Sequence, residues 1–363
     1  MKLQVTQENL NKALANVARI ANSRTTLPIL SNVLLKTVNN RLSIAATNLD
    51  IAITHYVGAK VAQEGSITVP ARLMQDFVSS LPSGTISLEL EDHKLHVSTD
   101  KYQSTINGVS AEDFPVMPAI TEGTSWSLPA GGLKKSLQQV VLAASSDETR
   151  PLLTGVYFHT DKNNLYIAAT DSYRLAEKLL TSTKQDTNLL VPATAMHDLL
   201  RVLGDSDETV EITNDEQQVL FKVNDVELVT RLIEGNYPDY KRLIPASFTT
   251  SALIKKSELS NITKVSSLFA RESAGSVTFK VDEEKQTISI HSIASQLGEN
   301  TAQAAAKVQG SGEITLNSRY LLDALGVIHD EDVDFCFNGK LEACVLRGSS
   351  QDDYTHIIMP LKS

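Results

Sequence analysis

The sequence predicts an α+β protein made of three copies of one module, each with two helices backed by antiparallel sheets. Three observations carry that reading. The stretch Leu165–Leu175, LYIAATDSYRL, has a twin at Leu42–Ala52, LSIAATNLDIA, 123 residues upstream. Thr68-Val69-Pro70-Ala71-Arg72 is echoed by Leu190-Val191-Pro192-Ala193-Thr194 and, more weakly, by Thr315-Leu316-Asn317-Ser318-Arg319, at intervals of 122 and 125. Asp113-Phe114-Pro115 corresponds to Tyr237-Pro238-Asp239, with the prolines again 123 apart. Markers that agree on one interval imply duplication. A chain of 363 residues accommodates three domains of ordinary size, with expected boundaries 1–121, 122–247 and 248–363.

Each copy divides again into two strand–helix–sheet units. The first opens with Val5 as strand and Thr6 as N-cap, followed by Leu10, Leu14, Val17 and Ile20 at helical spacing. Strands over Leu30–Val38 and Arg41–Thr47 follow. The second unit opens on Ser66–Val69; Pro70 falls at a helix start, where its missing N–H costs little. Leu73, Phe77, Val78 and Leu81 make the expected apolar stripe, and Pro82-Ser83-Gly84 ends the helix. Thr85–Leu90, Lys94–Ser98 and Tyr102–Val109 read as antiparallel strands. The plan recurs with helices marked by Leu133, Leu137, Val140, Val141 and Ala144, then by Met196, Leu199, Leu200 and Leu203, then over Leu259–Phe269 and Tyr320–Ile328. That predicts six helices and six small sheets. Phe114–Ser125 and Asn236–Ala252, rich in proline and polar turn residues, read as linkers. Both twins end in Ala-Ala-Thr followed by Asn or Asp, residues that bond their own backbone and turn the chain.

A hydrophobic fraction of 42% with 5% aromatics fits a soluble globular protein. No apolar run approaches the ~20 residues that cross a bilayer, so no membrane partner is expected. MKLQVTQENL reads as an amphipathic start and not a signal peptide. Cys336 and Cys344 lack a CxxC spacing and read as buried free thiols of a reducing compartment, the cytoplasm. Net charge is −10, yet the six expected helices carry +1, 0, +2, 0, +3 and 0, an excess of +6 that leaves −16 elsewhere. Equivalent helices facing one way would form a mildly basic lining, which attracts phosphates without reading sequence. The acidic remainder would discourage nucleic acid from binding elsewhere.

Catalytic constellations are poor. The eight histidines are scattered, with no HExxH, GxSxG or GxxxxGK[ST]. No metal or cofactor is expected. Asp171 with Arg174 resembles an acid and its orienting partner, but no general base accompanies them, and a turn-capping aspartate explains the pair better.

The chain resembles the beta subunit of bacterial DNA polymerase III, the sliding clamp family, along its whole length. The resemblance rests on Thr26-Leu27-Pro28-Ile29-Leu30, Thr68-Val69-Pro70-Ala71-Arg72, Ala169-Thr170-Asp171 with Arg174-Leu175, Tyr237-Pro238-Asp239-Tyr240 and Met359-Pro360-Leu361, in that order. It implies three domains of DNA-clamp type forming half of a pseudo-sixfold ring. The implied function is a non-catalytic, homodimeric clamp that encircles double-stranded DNA. Its partners would be the DNA polymerase III alpha subunit, the clamp loader and other proteins bearing a clamp-binding motif.

The resemblance also implies sites. A pocket for partner peptides would comprise Leu153, Thr170, Ser172, Tyr173, Arg174, Leu175, Pro238, Arg242, Leu243, Leu341, Ile357, Met359, Pro360 and Leu361, with the two arginines at its edge. Ser172 and Tyr173 depart from the family's common Gly-His. Ordinary core packing is the competing reading for Leu153 and Leu341. DNA contacts would come from Arg24, Arg72, Lys134, Arg150, Arg201 and Lys255. Ile106, Leu268 and Phe269 would meet at the dimer contact, with Lys101 and Glu299 as a charge pair; core packing again competes. Two other functions stay open from sequence: an enzyme centred on Asp171 and Arg174, and a monomeric peptide-binding scaffold.

Overall fold

The computed structural model describes residues 1–21, 27–120, 122–204, 208–270, 273–294 and 298–361. Arg24 and Lys362–Ser363 lie outside the described residues. The chain divides into two compact units, Met1–Lys134 with Thr194–Leu232, and Lys135–Ala193 with Ile233–Ser363.

Six α-helices fall among the described residues: α1 (Gln7–Ala21), α2 (Ala71–Ser80), α3 (Ala130–Val140), α4 (Ala193–Val202), α5 (Lys256–Ser267) and α6 (Ser318–Val327). Three of them, α2, α3 and α4, begin directly after a strand-ending proline at 70, 129 or 192. Where the third copy has Asn317 in place of proline, its Oδ1 accepts from Arg319 N and Tyr320 N at 2.9 and 3.3 Å and caps α6. The apolar stripes are mostly as expected: Leu10, Leu14, Val17 and Ile20 of α1 are at most 4% exposed. In α2 the stripe runs through Ala71, Met74, Val78 and then Leu81; Leu73 sits about 100° off that line and is 53% exposed. Helix α5 begins at Lys256, so Lys255 is its N-cap and not part of it. Arg271 lies outside the described residues, and the six helices carry an excess of +4 instead of +6.

Among the described residues the strands form four sheets where six were expected. The first unit holds a five-stranded antiparallel sheet, in the order Lys60–Gln63, Lys2–Thr6, Thr85–Glu91, Lys94–Ser98 and Gln103–Asn107. It also holds an eight-stranded sheet, in which Ile51–Gly58 pairs with Val226–Arg231 in the register Ala52↔Val229. The second unit holds a nine-stranded sheet, in which Arg174–Ser182 pairs with Gln351–Ile358 in the register Leu175↔Ile357. Its four-stranded sheet runs Gly298–Ala305, Thr287–Ala294, Ser276–Asp282 and Gly312–Asn317. Strands from separate modules thus merge, because an open sheet edge leaves backbone donors and acceptors that a second edge satisfies. Both cysteines are free and buried.

Candidate functional site

The strands Asn164–Thr170 and Arg174–Ser182 are joined by a tight turn made almost wholly by its own side chains. Thr170 Oγ1 donates to Arg174 O at 2.7 Å and accepts from Ser172 N at 3.1 Å. Asp171 Oδ1 accepts from Tyr173 N and Arg174 N, both at 2.9 Å, while its Oδ2 takes Arg174 Nε at 3.0 Å. Asp171 is therefore the turn cap expected from sequence. Ser172 takes the left-handed conformation the turn needs, with φ 77°.

Arg174 is not at an edge. Its side chain is 13% exposed, bonded to Asp171 and, at 2.8 Å, to Asp323, with its guanidinium 4.5 Å over the Tyr320 ring. It is a strut between the turn and α6. Tyr173, 57% exposed, is the residue the turn presents.

Behind the turn lies an apolar floor. Leu175 and Ile357 are paired neighbours in the sheet and join Ala168, Tyr240, Cys336, Ala343 and Val345 in one buried cluster, with Met359 and Tyr237 packed against it. Met359 N donates to Tyr173 O at 2.8 Å, and Leu361 N to Thr315 O at 2.9 Å, which ties the segment 359–361 to the turn and to the strand Gly312–Asn317. Leu153 is buried. Leu341 is 68% exposed, so it is not core. Pro238, Arg242 and Leu243 lie on the surface, with Arg242 Nε bonded to Asp239 at 2.6 Å.

The stretch expected as a linker is pinned in place. A 3-10 turn, Tyr240–Leu243, carries the outer residues. The Tyr240 hydroxyl donates to Glu177, and His159 Nε2 lies 2.6 Å from the same oxygen. A phenol has one proton to give, so its oxygen accepts from His159, which fixes the Nε2–H tautomer. Burial, then the charge of Lys241, lowers the His159 pKa to about 4, and the ring is neutral at pH 7. Burial, then Glu177, pushes the Tyr240 pKa well up. Lys241 pairs with Asp161 and sits 4.5 Å over the Tyr166 ring. Sequence reading missed His159, Glu177, Tyr320 and Asp323 as supports; no local pattern marks them, since their partners lie 63 to 149 residues away.

A polar cavity of about 810 Å³ opens beside the turn, lined by Arg150, Tyr173, Arg174, Arg319, Tyr320 and several serines. Arg150, expected at DNA, is held by Asp147 at 3.0 Å and by Ser172 Oγ at 3.1 Å. Of the other residues expected there, Arg72 is exposed with Asp76 at 3.8 Å, Arg201 pairs with Asp198, Lys134 is half-buried on α3 and Lys255 is exposed. The residues expected at DNA thus lie on separate elements, and Arg150 stands beside the Thr170–Arg174 turn. Of the dimer residues, Leu268 is 51% exposed and Phe269 half-buried, whereas Ile106 is 4% exposed, with its side chain inside its own unit. Among the described residues no cluster of His, Cys, Asp and Glu could hold a metal, and no helix is long and apolar enough to cross a membrane.

Three family models match in order: DNA polymerase III beta subunit, N-terminal domain, over 1–118; central domain over 127–239; and C-terminal domain over 241–362. The chain is 30% identical to the beta sliding clamp of Bacillus subtilis over 378 residues, covering 100% of both. It is 31% identical to that of Synechococcus elongatus over 372 residues, covering 100% of this chain and 99% of the relative. Among solved structures it is similar to the B. subtilis DNA polymerase sliding clamp, with TM-score 0.95, 28% identity and coverage of 100% and 99%. It is likewise similar to a Pseudomonas aeruginosa DnaN sliding clamp bound to griselimycin, with TM-score 0.94, 26% identity and coverage of 100% of both. With all three domain models matched in sequence and relatives aligned from end to end, this chain belongs to the DNA polymerase III beta subunit family, the DNA sliding clamps.

Proposed function

We propose that the chain works as a homodimeric ring that encircles duplex DNA, slides along it and tethers the polymerase, making and breaking no bond itself. One observation carries this reading. The two strand pairs that join modules within the chain, Ile51–Gly58 with Val226–Arg231 and Arg174–Ser182 with Gln351–Ile358, are one pairing repeated. The first partners start at 51 and 174, and the next in that series is Gly298–Ala305; the second partners start at 226 and 351, and the one before them is Gln103–Asn107. Each of those two strands stands at one end of its sheet, opposite Lys60–Gln63 or Gly312–Asn317, and is paired on one side only among the described residues. A third pairing of the same kind therefore needs two chains, head to tail, and a heterologous contact that closes gives a ring. Leu268 and Phe269 would add apolar contact, and the backbone edge holding Ile106 would supply the hydrogen bonds. We assign the modules to 1–121, 122–247 and 248–363.

The apolar cluster of Leu175 and Ile357 with Met359 against it, together with the exposed Tyr173, Pro238, Arg242 and Leu243, is our site for partner peptides of the polymerase alpha subunit, the clamp loader and other clamp-binding proteins. Tethering makes each rebinding intramolecular, at high effective concentration. Arg24, Arg72, Lys134, Arg150, Arg201 and Lys255 are our DNA contacts, neutralising phosphates without reading bases. We place the protein in the cytoplasm, with the chromosome. The test is retention on DNA after loading: the protein should stay on a closed circle and be lost once the circle is cut. Equal retention on both forms sinks encirclement, and a monomer by light scattering at micromolar concentration favours the scaffold reading.

A further inference from the structure

The first unit contains a second turn of the same construction. Thr47 Oγ1 donates to Ile51 O at 2.9 Å, as Thr170 Oγ1 does to Arg174 O. Asn48 Oδ1 accepts from Asp50 N and Ile51 N at 3.1 and 2.8 Å, the two bonds that Asp171 Oδ1 makes in the other turn. Leu49 has φ 81°, where Ser172 has φ 77°. The neighbouring strand docks alike too: Arg231 N donates to Asp50 O at 3.0 Å, as Met359 N does to Tyr173 O. Pro115 stands in the sequence place of Pro238, 123 residues earlier. Beside this turn is a groove of about 490 Å³, lined among others by Leu49, Pro115, Val116, Gln218, Val229 and Arg231.

The two turns share a frame, and their surroundings differ in chemistry. Leu49 is 50% exposed and Val116 95% exposed, so two apolar side chains stand in water on a rim that also carries Asp50 and Arg231. A leucine held at positive φ stores strain that a glycine would not, and such strain is kept where the surface has a use for it. Arg231 takes the place of Met359; it is exposed and has no side-chain hydrogen bond or ion pair among the described residues. Gln218 Oε1 is buried without a hydrogen-bond partner among the described residues.

We propose that this groove is a second peptide-docking site, taking an extended segment of a partner protein in which an apolar side chain follows a carboxylate. Leu49 and Val116 receive the apolar side chain, and Arg231 pairs with the carboxylate. Because Arg231 replaces a thioether, this site selects acidic segments that the Met359 groove does not require. The Asp50 carboxylate on the same rim sets a limit on that preference, and Asp50→Asn should tighten binding. The inference rests in part on the peptide-site reading of the Thr170–Arg174 turn.

The test uses the full chain and two acetylated, amidated hexapeptides, Ser-Asp-Leu-Val-Leu-Ser and its Lys-for-Asp counterpart, with amide hydrogen exchange as the readout. The acidic peptide at millimolar concentration should slow exchange at 47–52 and 229–231 at least fivefold, and the lysine peptide should not. Arg231→Glu and Leu49→Gly should each weaken that effect about tenfold, and Leu49→Gly should do so without loosening the turn, since glycine suits its φ. No slowing at 47–52, or slowing that survives both variants, overturns the proposal. A chain lacking 359–363 separates the two readings. Slowing at 47–52 that persists there supports an independent site, and slowing that disappears overturns it. Slowing confined to 170–175 leaves the first peptide site standing and removes this one; no slowing at either removes both.

Discussion

Replacing Asp171 tests how the Thr170–Arg174 turn is held. Its carboxylate takes two backbone N–H bonds at 2.9 Å and one guanidinium bond at 3.0 Å, and its side chain is 14% exposed. Asp171→Ala loses all three and strands two amides. At about 1–1.5 kcal/mol for each backbone bond and less for a guanidinium that keeps Asp323, the local cost is about 2–4 kcal/mol. Asp171→Asn is different. The twin turn performs the same capping with Asn48 Oδ1, so an amide suffices there. Only the charge on Arg174 goes uncompensated on one side; that pair is largely buried but Asp323 still holds the arginine, and we expect a cost of about 1–1.5 kcal/mol. Amide hydrogen exchange at 172–175 reads this directly: about 1.4 kcal/mol is tenfold in opening, so the alanine variant should exchange roughly thirty- to several-hundredfold faster and the asparagine variant only about five- to tenfold faster. Peptide affinity should follow the same order, because Tyr173 and Leu175 are aimed by this turn. Equal losses for Asn and Ala would mean that charge, and not the cap, matters, which would revive an acid role for Asp171.

The other expectations concern separate parts of the fold. Tyr240→Phe leaves Glu177 and the His159 N–H without their shared partner and should cost about 2–3 kcal/mol, read as a lowered melting temperature together with weaker binding at the groove; Glu177→Gln, which still accepts from the phenol, should be milder. Stability should also depend on acid. The His159 and His55 pKa values are both lowered from 6.5 to about 4, chiefly by burial, so the unfolded chain binds their protons first. Their contribution is complete above pH 6.5 and is lost as pH falls from 6.5 towards 4; a flat urea midpoint across that window would contradict the buried, neutral rings. Leu268→Asp, at a 51% exposed site, should leave monomer stability within about 0.5 kcal/mol while shifting sedimentation from dimer to monomer. Deleting 359–363 removes the two backbone bonds to Tyr173 and Thr315 and the packing of Met359. It should weaken binding of polymerase-derived peptides while far-UV circular dichroism stays unchanged.

Much of this was legible in the residues alone. The duplication, the six helices and the capping role of Asp171 follow from local chemistry: proline before a helix, apolar residues at 3.6-residue spacing, Asx residues that bond their own backbone. Errors arose where a local pattern has two solutions. Leu73 and Met74 are adjacent on α2, and composition does not say which one faces the core; the packing of α2 on α1 and on the strands behind it decides that. Arg174 reads as an edge cation because arginine usually is one, until Asp323 from α6 closes on it.

What the sequence fixes by itself is therefore the repeated unit and its turns, where each bond spans five residues or fewer. Only the tertiary structure decides that Ala52 meets Val229 and Leu175 meets Ile357, which merges six expected sheets into four, and that Tyr240 reaches Glu177 and His159. The physical reason is range. A strand edge carries the same unpaired N–H and C=O groups whatever its side chains, so its partner is chosen by register and packing across a hundred residues or more, and no local signal encodes that choice.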